Sequence, residues 1–110
     1  MQIIEEKQNE IFIFKLEGHI DSNTSPTFEE KIDEAIDSGA NQLIMDFEKL
    51  EYLSSAGLRV ILKATRALKR TEGKLVLCSM ADYVKEVFEI SGFDSFLPIV
   101  ASRDDALKMF

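Results

Sequence analysis

The residues best placed to do chemistry lie in one stretch, Tyr52-Leu53-Ser54-Ser55-Ala56-Gly57-Leu58-Arg59. Two serines, an alanine and a glycine stand there, where a strand-and-loop pattern gives way to a helical one. Backbone N–H groups at a helix start lack intrahelical acceptors and carry partial positive charge, so they favour an adjacent anion. A hydroxyl in that place can accept a phosphoryl group, and the product would be locally stabilised. The plainer use of such a serine is to cap the helix. Residue types alone leave Ser54 and Ser55 open between the two uses. The small residues Ala56 and Gly57 would let another protein approach closely.

Other chemistries fit less well. The glycine spacing and lysine of a phosphate-cradling P-loop are missing. A serine hydrolase built on Ser55, His19 and Asp21 or Asp46 has the residue types. A nucleophile elbow, however, needs glycine two positions before the serine, and Leu53 stands there. His19 is the only histidine and is expected at the polar end of a strand. The single cysteine, Cys78, sits in the apolar run Leu75–Cys78 and suits a small buried hydrophobe. It permits no intramolecular disulfide, which fits a reducing compartment. One cysteine and one histidine do not make a structural zinc site, so neither metal nor cofactor is expected.

The elements that must position Ser54 and Ser55 follow from periodicity. Gln2–Glu5 and the β-branched and aromatic run Ile11–Glu17 predict two strands joined as a hairpin through Glu6–Glu10, with Gly18 breaking the pattern. Ser25-Pro26 predicts a helix start, and Phe28, Ile32, Ala35 and Ile36 recur at helical spacing to about residue 38, where Gly39 stops it. Leu43–Phe47 reads as a strand covered on both faces. A second helix starts near Ser54 or Ser55, with Leu58, Ile61, Leu62, Thr65 and Leu68 as its buried stripe. Arg59, Lys63, Arg66 and Arg70 occupy its other face, and such a stripe is ordinarily solvated. Gly73 and the strand Leu75–Cys78 follow. Ser79-Met80-Ala81-Asp82 predicts a capping box before a helix through Val84, Val87 and Phe88 that closes at Gly92. A strand Phe96–Val100 and a cap at Ser102-Arg103-Asp104-Asp105 precede a last helix. The order β-β-α-β-α-β-α-β-α predicts one α/β domain over 1–110, with a mixed, mostly parallel sheet of about five strands and four helices against it.

Composition bounds the partners. At 110 residues with 45% hydrophobic and 30% charged residues, the chain suits one globular domain. The net charge of −7 repels phosphate backbones and anionic lipid, so neither nucleic acid nor membrane is an expected partner. No apolar run is long enough to cross a bilayer, and Met1 to Gln8 lacks the pattern of a signal peptide. A cytoplasmic protein is the expectation.

Three segments together resemble the STAS domain of bacterial anti-sigma factor antagonists. They are Tyr52-Leu53-Ser54-Ser55-Ala56-Gly57-Leu58-Arg59-Val60-Ile61-Leu62, Leu16-Glu17-Gly18-His19-Ile20-Asp21, and Val87-Phe88-Glu89-Ile90-Ser91-Gly92-Phe93. The resemblance runs in order along nearly the whole chain. It implies a non-enzymatic partner switch. The unphosphorylated protein would bind an anti-sigma factor with serine kinase activity and so free the sigma factor. Phosphorylation of a helix-start serine would end that binding, and a serine phosphatase would reset it. The acceptor position falls on Ser55, with Ser54 as second choice because it stands where many members have aspartate. Asp21, Ser54, Ser55, Ala56, Gly57 and Arg59 become the partner-contact candidates, and Asp46 matches a second acidic position. Some members of the family instead serve as unphosphorylated scaffolds in signalling or lipid-transport assemblies, and that is the alternative function.

Overall fold

The computed structural model describes residues 1–95 and 97–110. Among these, the chain forms β1 (Gln2–Gln8), β2 (Ile11–Ile20), α1 (Ser25–Asp37), β3 (Gln42–Leu53), α2 (Ser55–Arg70) and β4 (Lys74–Cys78). Then come α3 (Asp82–Ser91), a 3-10 turn (Phe93–Ser95), β5 (Ile99–Val100) and α4 (Arg103–Leu107). The sheet runs β1-β2-β3-β4-β5 in sequence order. β1 is antiparallel to β2, and every other pairing is parallel. The expected α/β domain is therefore observed.

Alternation along the central strands splits the core in two. Phe14, Leu43, Met45, Phe47, Leu75 and Leu77 face one side, with Phe28 and Ile32 of α1, Ile61 and Leu68 of α2, and Val84 and Phe88 of α3. Ile11, Ile13, Ile44, Val76 and Cys78 face the other side, against Ala106 of α4. Parallel strands in sequence order need right-handed crossovers on one face, so α1, α2 and α3 share a side and α4 closes the other. Phe47 meets Phe88 edge-to-face at 6.1 Å and 82°, the arrangement that ring quadrupoles favour.

Several boundaries differ from the sequence reading. β1 extends to Gln8, past the expected Glu5, and turns through Asn9 (φ 56°) and Glu10 straight into β2. An edge strand is held by pairing with its one neighbour and tolerates polar residues on its exposed surface. β2 does not stop at Gly18. That residue (φ 91°) sits within a strand whose register against β3 shifts between Lys15 and Glu17 and again between Gly18 and His19. β3 runs on to Leu53, six residues beyond the expected Phe47. Past Asp46 it pairs with β2 alone.

The helix caps also moved. Thr24, not Ser25, is the N-cap of α1, and Ser25 is a buried first-turn residue. The expected capping box at Ser79 does not form. Ser79 takes a left-handed conformation (φ 63°) and donates its N–H to the Val100 carbonyl at 3.2 Å, so Ala81 becomes the N-cap of α3. Ser102 does cap α4, accepting from the Asp105 N–H at 3.1 Å. The last strand is Ile99–Val100 only. Phe96, its expected first residue, lies outside the described residues. In α2 the buried residues are Gly57, Leu58, Val60, Ile61, Ala64 and Leu68. Leu62 and Thr65, expected in that stripe, are half-buried at its edge.

Gly57 fixes how α2 seats on the strand ends. A Cβ there would lie 2.5 Å from Leu53 Cδ1 and 2.8 Å from Ile20 Cγ2, both on buried side chains. The overpacking cost of about 1–3 kcal/mol outweighs the gain of about 0.8–1.0 kcal/mol that alanine brings to a helix. Gly57→Ala should therefore lower stability by about 1 kcal/mol in urea unfolding, and a stabilised variant would refute this packing. Cys78 is fully buried, and desolvation pushes its thiol from 9.0 up to about 11. A group whose folded value is raised contributes stability below its unfolded value and loses it as pH rises through the folded one. That contribution should fade between 9.0 and about 11. Folded protein at pH 8 should resist alkylation that the urea-unfolded chain undergoes readily. Equal rates in the two states would contradict the burial.

Candidate functional site

The two serines stand at the C-terminal ends of parallel β2 and β3, the edge at which open α/β sheets gather ligands and partners. Ile20 and Leu53 are register partners, and the Ser54 N–H donates to the Ile20 carbonyl at 2.8 Å. That bond ties the start of α2 to the end of β2. It brings the Asp21 loop beside the serine pair.

Ser54 takes the capping role and leaves the Ser55 hydroxyl unengaged. Ser54 is the N-cap, with extended backbone (φ −87°, ψ 171°) and a hydroxyl that accepts from the Gly57 N–H at a long 3.4 Å. Its carbonyl accepts the Leu58 N–H at 3.1 Å. Ser55 is the first helical residue and is exposed, and among the described residues its hydroxyl makes no hydrogen bond. An unengaged hydroxyl beside the free N–H groups of a first turn is open to modification in a way that a capping hydroxyl is not.

Asp21 is held by its own loop. Its Oδ1 accepts the N–H groups of Asn23 at 2.8 Å and Thr24 at 3.1 Å. Those backbone bonds hold its carboxyl below the usual value of 3.8. The Thr24 hydroxyl accepts the Asp21 N–H at 2.9 Å and lies 3.0 Å from the His19 carbonyl, to which it donates. Thr24 went unnoticed as part of the site, although the sequence Asp21-Ser22-Asn23-Thr24 is one in which short polar side chains characteristically bond their own backbone. His19, weighed from the sequence only as a hydrolase base, and Tyr52, read only as part of the serine motif, also stand at this edge. They are register partners, both exposed, with ring centroids 6.2 Å apart, and His19 Nε2 lies 3.7 Å from Glu51 Oε2. A strand-end aromatic just before the serines was the available signal.

The remaining candidates separate. Ala56 is half-buried and Arg59 is exposed on α2. Gly57 is buried, so its missing side chain serves internal packing and does not clear space for a partner. Asp46 points to the opposite face of the sheet and is nearly enclosed there. Its Oδ1 accepts the Glu48 N–H at 3.0 Å, and its Oδ2 lies 3.4 Å from a guanidinium nitrogen of Arg103, which also pairs with Glu6 at 2.9 Å. This is a strut between α4, β3 and β1. Beside it opens a cleft of about 340 Å³ lined by residues including Lys15, Lys49, Ser79 and Arg103. None of Asp21, Ser54 and Ser55 lines that cleft.

The sequence matches the STAS domain over residues 2–106. It is 37% identical over 110 residues to BtrV of Bordetella bronchiseptica, assigned as an anti-sigma factor antagonist, covering 100% of this chain and 95% of that protein. It is 27% identical to the anti-sigma F factor antagonist of Paenibacillus polymyxa, covering 97% and 92% of the two chains. The fold matches the anti-sigma factor antagonist SpoIIAA of Bacillus in its unphosphorylated form, with 25% identity, a TM-score of 0.76 and coverage of 98% and 96%. The phosphorylated form gives 25% identity, a TM-score of 0.77 and coverage of 98% and 98%. By the family match over almost the entire length, the chain belongs to the STAS domain family.

Proposed function

We propose that this chain is an anti-sigma factor antagonist whose partner binding is switched off by phosphorylation of Ser55. The observation that carries the reading is the exposed, unengaged Ser55 hydroxyl at the start of α2, beside the Asp21 loop. Two relatives support it, one named an anti-sigma F factor antagonist and one solved both with and without phosphate. The unphosphorylated surface around Asp21, Ser54, Ser55, Ala56 and Arg59 binds an anti-sigma factor, and that anti-sigma factor is the serine kinase. In the transfer, a bond forms between Ser55 Oγ and the γ-phosphorus of ATP while the bond to the bridging oxygen breaks. ADP leaves, and the hydroxyl proton passes to a base on the kinase. Hydrolysis of the new ester by a serine phosphatase restores the hydroxyl.

The role is regulatory and not catalytic. A hydrolase would need His19 between Ser55 and an aspartate, but the nearest acid to its ring is Glu51, and Asp21 spends its Oδ1 on backbone N–H groups. No helix among the described residues is long and apolar enough to cross a membrane. A cytoplasmic location fits a protein whose partners control transcription.

Magnitudes favour an interface switch. A phosphate adds about −1.5 to −2 charges that must be desolvated inside an interface. A penalty of about 3 kcal/mol weakens binding about a hundredfold, whereas an exposed helix start returns only about 0.3–1 kcal/mol. Incubating the unphosphorylated protein with ATP and a lysate of its source cells should add one phosphoryl group, mapped by mass spectrometry to Ser55. Ser55→Ala should bind the anti-sigma factor as the unmodified protein does, and Ser55→Asp at least about tenfold more weakly. Modification at Ser54 would move the acceptor by one residue. No modification in a lysate with active kinases, together with equal affinities for all forms, would replace this function with a phosphate-independent scaffold.

A further inference from the structure

Arg59 stands four residues after Ser55 in α2, and both side chains are exposed. Residues at that spacing share a helix face, about 6 Å apart along the axis. Helical side chains lean toward the N-terminus, which carries the long Arg59 chain back toward the Ser55 hydroxyl. Arg59 also differs from the cation that follows it on the stripe. Lys63 is already committed to α1, with Glu29 at 2.9 Å and Asp33 at 3.5 Å. Arg59 makes no ion pair or hydrogen bond among the described residues. The acids of α1 thus neutralise the second cation and leave the first one free, one turn from the candidate acceptor. In a chain of net charge −7, an unpaired guanidinium at that place is the local attraction for an added anion. Asp21, across the joint, is the charge that opposes it.

We propose that Arg59 is the internal partner of the phosphate. Once Ser55 is phosphorylated, the Arg59 guanidinium pairs with the phosphate oxygens through charge-assisted N–H···O bonds of the kind a planar fork forms with phosphate. The inference rests on the switch reading and deepens it. Phosphorylation then acts twice on the contact surface: it adds a dianion, and it withdraws the free cation that an acidic group of the partner would otherwise meet. Arg59 is a positioning residue, since it holds the phosphate against α2 and takes no part in the transfer.

The test uses the full chain with phosphoserine installed at position 55 during translation, so it needs no kinase. The readout is the phosphate's second ionisation, near pH 6 in an unperturbed phosphoserine, followed by phosphorus NMR. A nearby cation favours the dianion and lowers the midpoint. Arg59→Gln should raise the midpoint by about 0.2–0.4 pH relative to the wild-type background. Arg59→Lys, which keeps the charge, should stay closer to wild type than to Arg59→Gln. Arg66→Gln, two turns further along α2, should leave the midpoint in place. Equal midpoints with and without Arg59 would overturn the proposal. So would a shift as large in Arg66→Gln or in Arg59→Lys, because the effect would then be diffuse charge or helix distortion. If no kinase ever modifies Ser55, the switch reading fails while this pairing is still measured on its own terms.

Discussion

One hydrogen bond organises the functional end of this protein: the Ser54 N–H on the Ile20 carbonyl, 2.8 Å long. It joins the last residue of β2 to the cap of α2 and so sets the Asp21 loop beside the serines. α2 seats directly on the strand ends, and the missing side chain of Gly57 makes room for this, given how near Leu53 and Ile20 approach. Register does the rest. Two shifts along β2 keep Ile20 opposite Leu53 although the strands differ in how many residues they spend getting there. Gly18, with φ 91°, is the residue that absorbs the second shift. Its sequence-level appearance as a breaker and its structural role as a bulge share one cause, the absence of a Cβ.

The same geometry explains what could be read from the residues and what could not. Strands covered on both faces announce themselves as apolar runs, so Ile11–Phe14, Leu43–Phe47 and Leu75–Cys78 were legible. The distal half of β3 was not. Its sequence Glu48-Lys49-Leu50-Glu51-Tyr52-Leu53 buries only Leu50 and Leu53, a period of three where a regular strand has two. Pairing on a single side, beside a neighbour with shifted register, permits that departure. The cap at Ser79 failed for a different reason. Local sequence offered a capping box, and a long-range bond to Val100 outcompeted it. Caps at Ser54 and Ser102 were legible because their backbone stays extended as a cap requires, even though the Ser54 N–H is bonded to Ile20. Family resemblance located Ser55, but only the three-dimensional arrangement separates its free hydroxyl from the capping one of its neighbour.

Charge is distributed with a division of labour. Ion pairs that bind elements together lie away from the serines: Arg103 spans Glu6 and Asp46 beneath the sheet, and Lys63 joins α2 to α1. The Lys63 pairs are exposed and screened by solvent, so they contribute little. Asp46 is the exception in consequence, because a nearly enclosed carboxylate left without Arg103 would be an uncompensated charge. The surface around the two serines carries charges of another kind. Asp21 is held by backbone N–H groups and Arg59 by nothing among the described residues. The structural charges are thus satisfied internally, and of the charges near Ser55 Arg59 is the one left unpaired among the described residues.

Under the proposed switch, that separation would let one small modification control binding without disturbing the fold. Ser55 is exposed and its hydroxyl supports no part of the core, so a phosphate there displaces no internal contact. The cap that α2 requires belongs to Ser54, which modification of Ser55 leaves intact. A single serine serving both as cap and as acceptor would couple the switch to helix stability, since losing a cap costs about 0.5–2 kcal/mol. With two adjacent serines the helix start would keep its cap in either state of the proposed switch. The full electrostatic consequence of a phosphate would then fall on whatever docks against the strand ends, where a desolvated dianion costs more than the helix start can return. A capping serine beside an unengaged one is therefore an arrangement in which the proposed switch could change the affinity of this surface while the domain beneath it stays as it is.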